Sequence, residues 1–161
     1  MCSSDLLTLI GRLLKAYPGA VAGLKDSSGD WHNTKAVLDG FAKSGFDVFA
    51  GSEVFLLANM RGGGKGCISA TANVNPAAIA ALHRQWQAAD ADAMQAGLDR
   101  IRAIFQKYPM IAALKQAIAH WSGDDRWRTV RPPLVELAPA QAASLVAELE
   151  AAGFSMPGLA G

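Results

Sequence analysis

A single lysine closes the short apolar run Val21-Ala22-Gly23-Leu24-Lys25, and the polar turn Asp26-Ser27-Ser28-Gly29-Asp30 follows at once. An amine is a nucleophile only when neutral, and apolar walls or a second cation disfavour the ammonium form. A lysine so placed can attack a ketone and form a Schiff base, an electron sink for breaking or making carbon–carbon bonds. The same side chain can equally lay its stem on apolar surface and pair in solvent with Asp26 or Asp30. Residue types alone leave both uses open.

The flanking segments say where this lysine must sit. Val21, Ala22 and Leu24 read as a buried strand, and the residues from Trp31 to Ala42 return to helical spacing. Lys25 therefore falls at the carboxyl end of a strand, the edge where α/β proteins bind their ligands. Upstream, Ser3, Ser4 and Asp5 are candidate N-caps for a helix carrying Leu6, Leu7, Ile10, Leu13 and Leu14, which ends near Tyr17-Pro18-Gly19. Downstream, Val37, Leu38, Phe41 and Ala42 form an apolar helix face, Phe46 to Ala50 a second strand, and Glu53 to Met60 a short helix. Cys67 to Thr71 reads as a third, buried strand, and Asn75-Pro76 as the cap and first turn of the next helix. The rest is helical. Ile79, Leu82, His83 and Trp86 mark one helix, Met94 to Phe105 a second, Ile111 to Trp121 a third, and Ala140 to Ala151 a last one ending at Gly153.

Several motifs fail a direct test. Gly62-Gly63-Gly64-Lys65-Gly66 lacks both the leading glycine and the trailing serine or threonine of a phosphate loop, so it reads as a helix-to-strand turn. His32, His83 and His120 have no metal-ligand spacing, and Asp124-Asp125 has neither the length nor the glycine of a calcium loop. The tryptophans Trp31, Trp86, Trp121 and Trp127 lack a basic stripe and read as core or interface. Lys115 reads as packing or pairing, and Asp26 and Asp30 as residues that orient the turn or cap the next helix. A formal charge of +1 on 161 residues excludes a general polyanion attraction, hence nucleic acid and anionic membranes as first partners. Cys2 and Cys67 form no disulfide framework, and no apolar run spans a bilayer, so a cytoplasmic location is expected.

Four segments, in order, then carry a resemblance. Gly23-Leu24-Lys25-Asp26-Ser27-Ser28-Gly29-Asp30 resembles the Schiff-base lysine motif of the dihydrodipicolinate synthase and N-acetylneuraminate lyase family. Ala50-Gly51-Ser52-Glu53 resembles its strand-seven loop, Lys65 to Val74 its strand-eight segment, and Val130-Arg131-Pro132-Pro133-Leu134 the link before its last helix. The likeness runs over nearly the whole chain but covers only the carboxyl-terminal half or so of the family's domain.

The resemblance implies an α/β fold: a partial (β/α)8 TIM barrel of the last three strand–helix units, followed by a carboxyl-terminal helical region. On this reading residues 1–75 hold strands six to eight, and residues 76–161 hold the last barrel helix and the helical region of the same domain. Five upstream units are expected to be missing, with barrel-interior side chains left exposed. Lys25 resembles the lysine that forms the imine with pyruvate or another 2-oxo acid. Gly51 and Ile68 match positions whose backbone lines the oxo-acid pocket, and Ser52 and Glu53 match positions that vary with the distal part of the substrate. The implied activity is that of an aldolase-type lyase or synthase, with no cofactor and no metal, and a homo-oligomer when the barrel is complete. The hydroxyl pair and relay tyrosine of the family have no counterpart, since Tyr17 and Tyr108 lie outside the matching motifs. The alternative reading is a catalytically inactive remnant that binds a partner chain.

Overall fold

A computed structural model describes residues 3–159. The expectations for Cys2 therefore lie outside the described residues. Two compact units are present, one formed by the chain up to Ser69 together with Ala81–Ala91, the other by Ala70–Ala80 and the chain from Asp92 onward.

In the first unit, α1 (Ser3–Ala16) precedes β1 (Gly23–Asp26), α2 (Trp31–Phe41), β2 (Asp47–Ala50), α3 (Leu56–Arg61) and β3 (Gly66–Cys67). The strands form one sheet in the order β1-β2-β3, parallel throughout. Parallel neighbours need a crossover, and α2 and α3 supply them. The register sets Leu24 beside Val48 and Lys25 beside Phe49, then Phe49 beside Gly66 and Ala50 beside Cys67. Leu24 and Val48 face the helices, where Ile10, Val37, Leu38 and Phe46 complete a buried cluster flanked by Leu6, Leu7 and Leu14. The helical spacing of these apolar residues is what brings α1 and α2 onto one face of the sheet.

The second unit contains the start of α4 (Pro76–Arg84), then α5 (Ala91–Phe105), α6 (Met110–Ser122) and α7 (Pro139–Ala151). Its core gathers Val74, Ile104, Phe105, Ala113, Leu114, Ala117, Leu145, Leu149, Phe154 and Met156. Phe105, fully buried, meets Phe154 edge-on with centroids 6.1 Å apart, and Trp121 meets the same ring at 5.2 Å. Among the described residues no helix is long and apolar enough to cross a membrane.

Two expectations are corrected. The third strand is not Cys67 to Thr71: it spans Gly66–Cys67, and Ala70–Asn73 form a 3₁₀ turn. Its partner β2 ends at Ala50, so after the Ile68 N–H reaches the Ala50 carbonyl at 2.9 Å no strand backbone remains to pair with. Ile68 is accordingly half exposed, at 50%, rather than buried. The helix marked by Ile79 to Trp86 stops at Arg84, because the Gln85 N–H is shared between the carbonyls of Ala81 and Leu82 and the chain turns. Of the two places read for Trp127, core or interface, its 45% exposure leaves the interface, and the Lys115 ammonium lies 5.3 Å from its ring centroid.

Phe105→Ala should cost about 3–5 kcal/mol of unfolding free energy, because it removes a fully buried ring and leaves a cavity. Denaturant unfolding of the chain measures it; a loss below about 1 kcal/mol would mean that this core is loosely packed.

Candidate active site

Along β1 the side chains alternate. Leu24 packs into the core under α2 and Asp26 is 8% exposed, while Lys25 between them is exposed on the opposite face of the sheet. The lysine thus leaves the sheet away from the helices, one residue before the strand ends.

The strand end itself is held by Asp26. Its carboxylate accepts from the Thr34 hydroxyl at 2.6 Å, the Asn33 side-chain amide at 3.1 Å and the Ser28 N–H at 2.9 Å. Burial alone pushes this carboxyl up, but the hydrogen bonds from Thr34, Ser28 and Asn33 together outweigh it and hold it below its ordinary value of 3.8. Asp30 caps α2, accepting from the His32 N–H at 2.9 Å. Both aspartates therefore do the turn-orienting and capping work read from the sequence.

Gly51 follows β2, and its N–H donates to the Asp26 carbonyl at 2.6 Å. A Cβ at this position would stand 2.5 Å from that oxygen and 2.8 Å from the Ser27 Cα, so only glycine fits without parting the strand ends. Ser52 spends its hydroxyl as the cap of the next 3₁₀ turn, accepting from the Val54 N–H at 3.4 Å. Glu53 is 2% exposed and accepts a close hydrogen bond from the Ser69 hydroxyl. Burial first, and then the Glu53 carboxylate, push the Cys67 thiol up to about 11, leaving it almost wholly protonated at neutral pH.

Lys25 thus lies beside Phe49, two residues before Gly51, which itself closes on the Asp26 carbonyl, and Ile68 comes directly after β3. Ser52 and Glu53 lie in the same loop, with their polar atoms engaged inside the fold. Sequence reasoning missed Ser69, Thr34, Asn33 and Asn59. Asn59 is fully buried, and its side-chain amide donates to the Val48 carbonyl at 2.9 Å and the Gly66 carbonyl at 2.8 Å, clamping β2 to β3. A Cβ on Gly64 would fall 2.3 Å from that amide nitrogen. The glycine run that fails as a phosphate loop makes room for this clamp, and a buried asparagine just upstream of it was the available signal. Of the other polar residues, the Tyr108 hydroxyl donates to Glu148 at 2.9 Å, His120 lies 3.2 Å from Glu150, and a His83 ring nitrogen lies 3.1 Å from the Lys65 carbonyl.

With this geometry in view, comparison with known proteins assigns the class. The model of the Dihydrodipicolinate synthetase family matches residues 4–152, and the chain belongs to that family. An uncharacterized DapA-like lyase of Chloroflexus aurantiacus is 32% identical over 144 residues, covering 89% of this chain and 47% of its own. The 4-hydroxy-tetrahydrodipicolinate synthase of Syntrophotalea carbinolica is 32% identical over 148 residues, covering 88% and 48%. The crystal structure of dihydrodipicolinate synthase from Agrobacterium tumefaciens superposes with a TM-score of 0.76 at 31% identity, over 90% of this chain and 48% of that one. YagE from E. coli, a member of the dihydrodipicolinic acid synthase family solved in complex with pyruvate, shares the fold at a TM-score of 0.81 and 24% identity, over 92% and 51%. The chain spans about half the length of these relatives.

Two outcomes are expected at the strand end. Gly51→Ala should cost about 1–3 kcal/mol, as a methyl group is forced against backbone, and unfolding midpoints check it. Asp26 favours its ionised form when folded, so its contribution is complete well above pH 3.8 and is lost as pH falls through and below that value. Unfolding free energy measured from pH 6 to 2.5 should therefore fall less steeply for Asp26→Asn than for the parent; parallel curves would contradict this.

Proposed function

We propose that the chain is the lysine-bearing half of a (β/α)8 Schiff-base lyase or synthase acting on pyruvate or another 2-oxo acid. The single observation that carries this reading is the placement of Lys25. It stands on the face of a parallel sheet opposite the helices, at the carboxyl end of its strand, in a chain of this family. In a closed barrel that face is the interior, and the carboxyl ends of the strands form the active-site rim.

The chemistry follows from the amine. The neutral Lys25 nitrogen adds to the C2 carbonyl of the 2-oxo acid, the carbinolamine loses water, and the resulting iminium withdraws electrons from the adjacent bond. Loss of a proton from C3 gives an enamine that attacks an aldehyde; in the reverse direction cleavage gives the enamine, which is protonated and hydrolysed. The backbone at Gly51 and Ile68 lines the oxo-acid end, and the loop carrying Ser52 and Glu53 borders the distal end. Because Ser52 caps a turn and Glu53 is buried against Ser69, this loop acts on specificity chiefly through its shape. No cofactor is required by these steps. The complete protein is proposed to assemble as a homo-oligomer in the cytoplasm.

A second reading, a non-catalytic chain that binds a partner, draws on the exposure of Lys25 on the sheet and of Ile68 just after β3. Borohydride trapping of the purified chain with pyruvate separates the two. The lyase reading expects one reduced adduct, mapped by mass spectrometry to Lys25 and lost in Lys25→Ala. A folded chain that traps nothing would favour the binding reading.

A further inference from the structure

We propose that Asp26 and Thr34 are positioning residues that hold the Lys25 backbone in register for imine formation, an inference that rests on the reading of Lys25 as the nucleophile. The Asp26 side chain and its main chain are each tied to a different element. The carboxylate is bound by Thr34 and Asn33 from the first turn of α2 and by the Ser28 N–H of the connecting turn. The carbonyl is bound by the Gly51 N–H at the end of β2. Lys25 is the residue immediately before this junction, and its own side chain leaves on the other face. The amine is therefore placed through the peptide that follows it, with Asp26 itself turned to the helices.

Burial makes the arrangement stiff. Asp26 is 8% exposed and Thr34 2% exposed, so bulk water has little access to either group. The shortest of the three hydrogen bonds to Asp26 comes from the Thr34 hydroxyl, at 2.6 Å. Removing that hydroxyl leaves a buried carboxylate short of one donor, and its cheapest relief is to rotate or to admit water. Either motion shifts the Asp26 carbonyl against Gly51 and moves the Cα of Lys25. A nucleophile displaced by a fraction of an ångström loses rate at fixed occupancy rather than affinity for its ligand.

The substitutions Thr34→Val and Thr34→Ser test this. Valine keeps the shape without the hydroxyl, and serine keeps the hydroxyl without the methyl. Borohydride trapping is followed against pyruvate concentration in the chain and both variants, with amide exchange of Gly51 measured by NMR on the same samples. Thr34→Val should trap about tenfold more slowly at saturating pyruvate with an unchanged half-saturation concentration, and its Gly51 amide should exchange about tenfold faster. Thr34→Ser should restore both. A general loss of packing would instead raise exchange across β1 and β2 together and would not be rescued by serine.

Equal trapping rates in Thr34→Val, or a change confined to half-saturation, would overturn the proposal. If the parent chain traps no pyruvate, the Schiff-base reading fails on its own account. Gly51 exchange then decides whether the strand end is held through Thr34: no selective acceleration in Thr34→Val overturns that as well.

Discussion

The close approach of β1 and β2 at their carboxyl ends is the constraint on which the site depends. The Gly51 N–H lies 2.6 Å from the Asp26 carbonyl, and there is no room for a side chain between them. Parallel strands are not joined by a tight turn, so this contact has to be reached through a full helical crossover. The crossover is fixed at both ends. Asp30 caps α2 where it begins, and the apolar face carrying Val37 and Leu38 seats it on Val48. A buried carboxylate at the junction would by itself be unfavourable, but three donors from the same turn and helix turn Asp26 into the fastener.

From that junction the alternation of the strand does the rest. Leu24 and Asp26 are committed to the helix side, which leaves Lys25 no choice of face. A one-residue slip would bury the ammonium among Ile10, Val37 and Phe46 and expose Leu24 and Asp26, a state penalised on both counts. The same logic reaches β3 through Asn59, whose side-chain amide bridges carbonyls of β2 and β3. The strand that carries the lysine and the one that leads into Ile68 are thereby each fixed to β2.

Legibility in the sequence followed the range of the interaction. The helices and the first two strands show in apolar spacing and in local punctuation, because capping and period are decided within a few residues. The role of Asp26 and Asp30 at the turn was readable for that reason. The end of β3 was not: Cys67 to Thr71 is apolar enough for a strand, but its length is set by where β2 stops, seventeen residues upstream of Cys67. Ser69 and Glu53 are sixteen residues apart, and nothing local marks either as the other's partner. The glycine run stands out in the sequence but its purpose does not, since the space it leaves is filled by the Asn59 side chain of α3.

Glu53 shows how far a motif can be carried before geometry must take over. Its place in the loop after β2 makes it a specificity candidate by resemblance, and a free carboxylate there would select for a cationic or hydroxylated substrate end. At 2% exposure, with the Ser69 hydroxyl bound, it cannot reach a ligand without first giving up that bond. Its carboxylate does act on its surroundings, because it adds to burial in keeping the Cys67 thiol protonated. That leaves the one described cysteine a weak nucleophile at the strand ends. Lys25 differs in kind: its backbone is fixed by residues within this unit, while its amine stands exposed. Placement of the lysine and enclosure of its amine are thus separate requirements, and this sheet meets the first through Asp26, the turn and helix residues that bind its carboxylate, and Gly51.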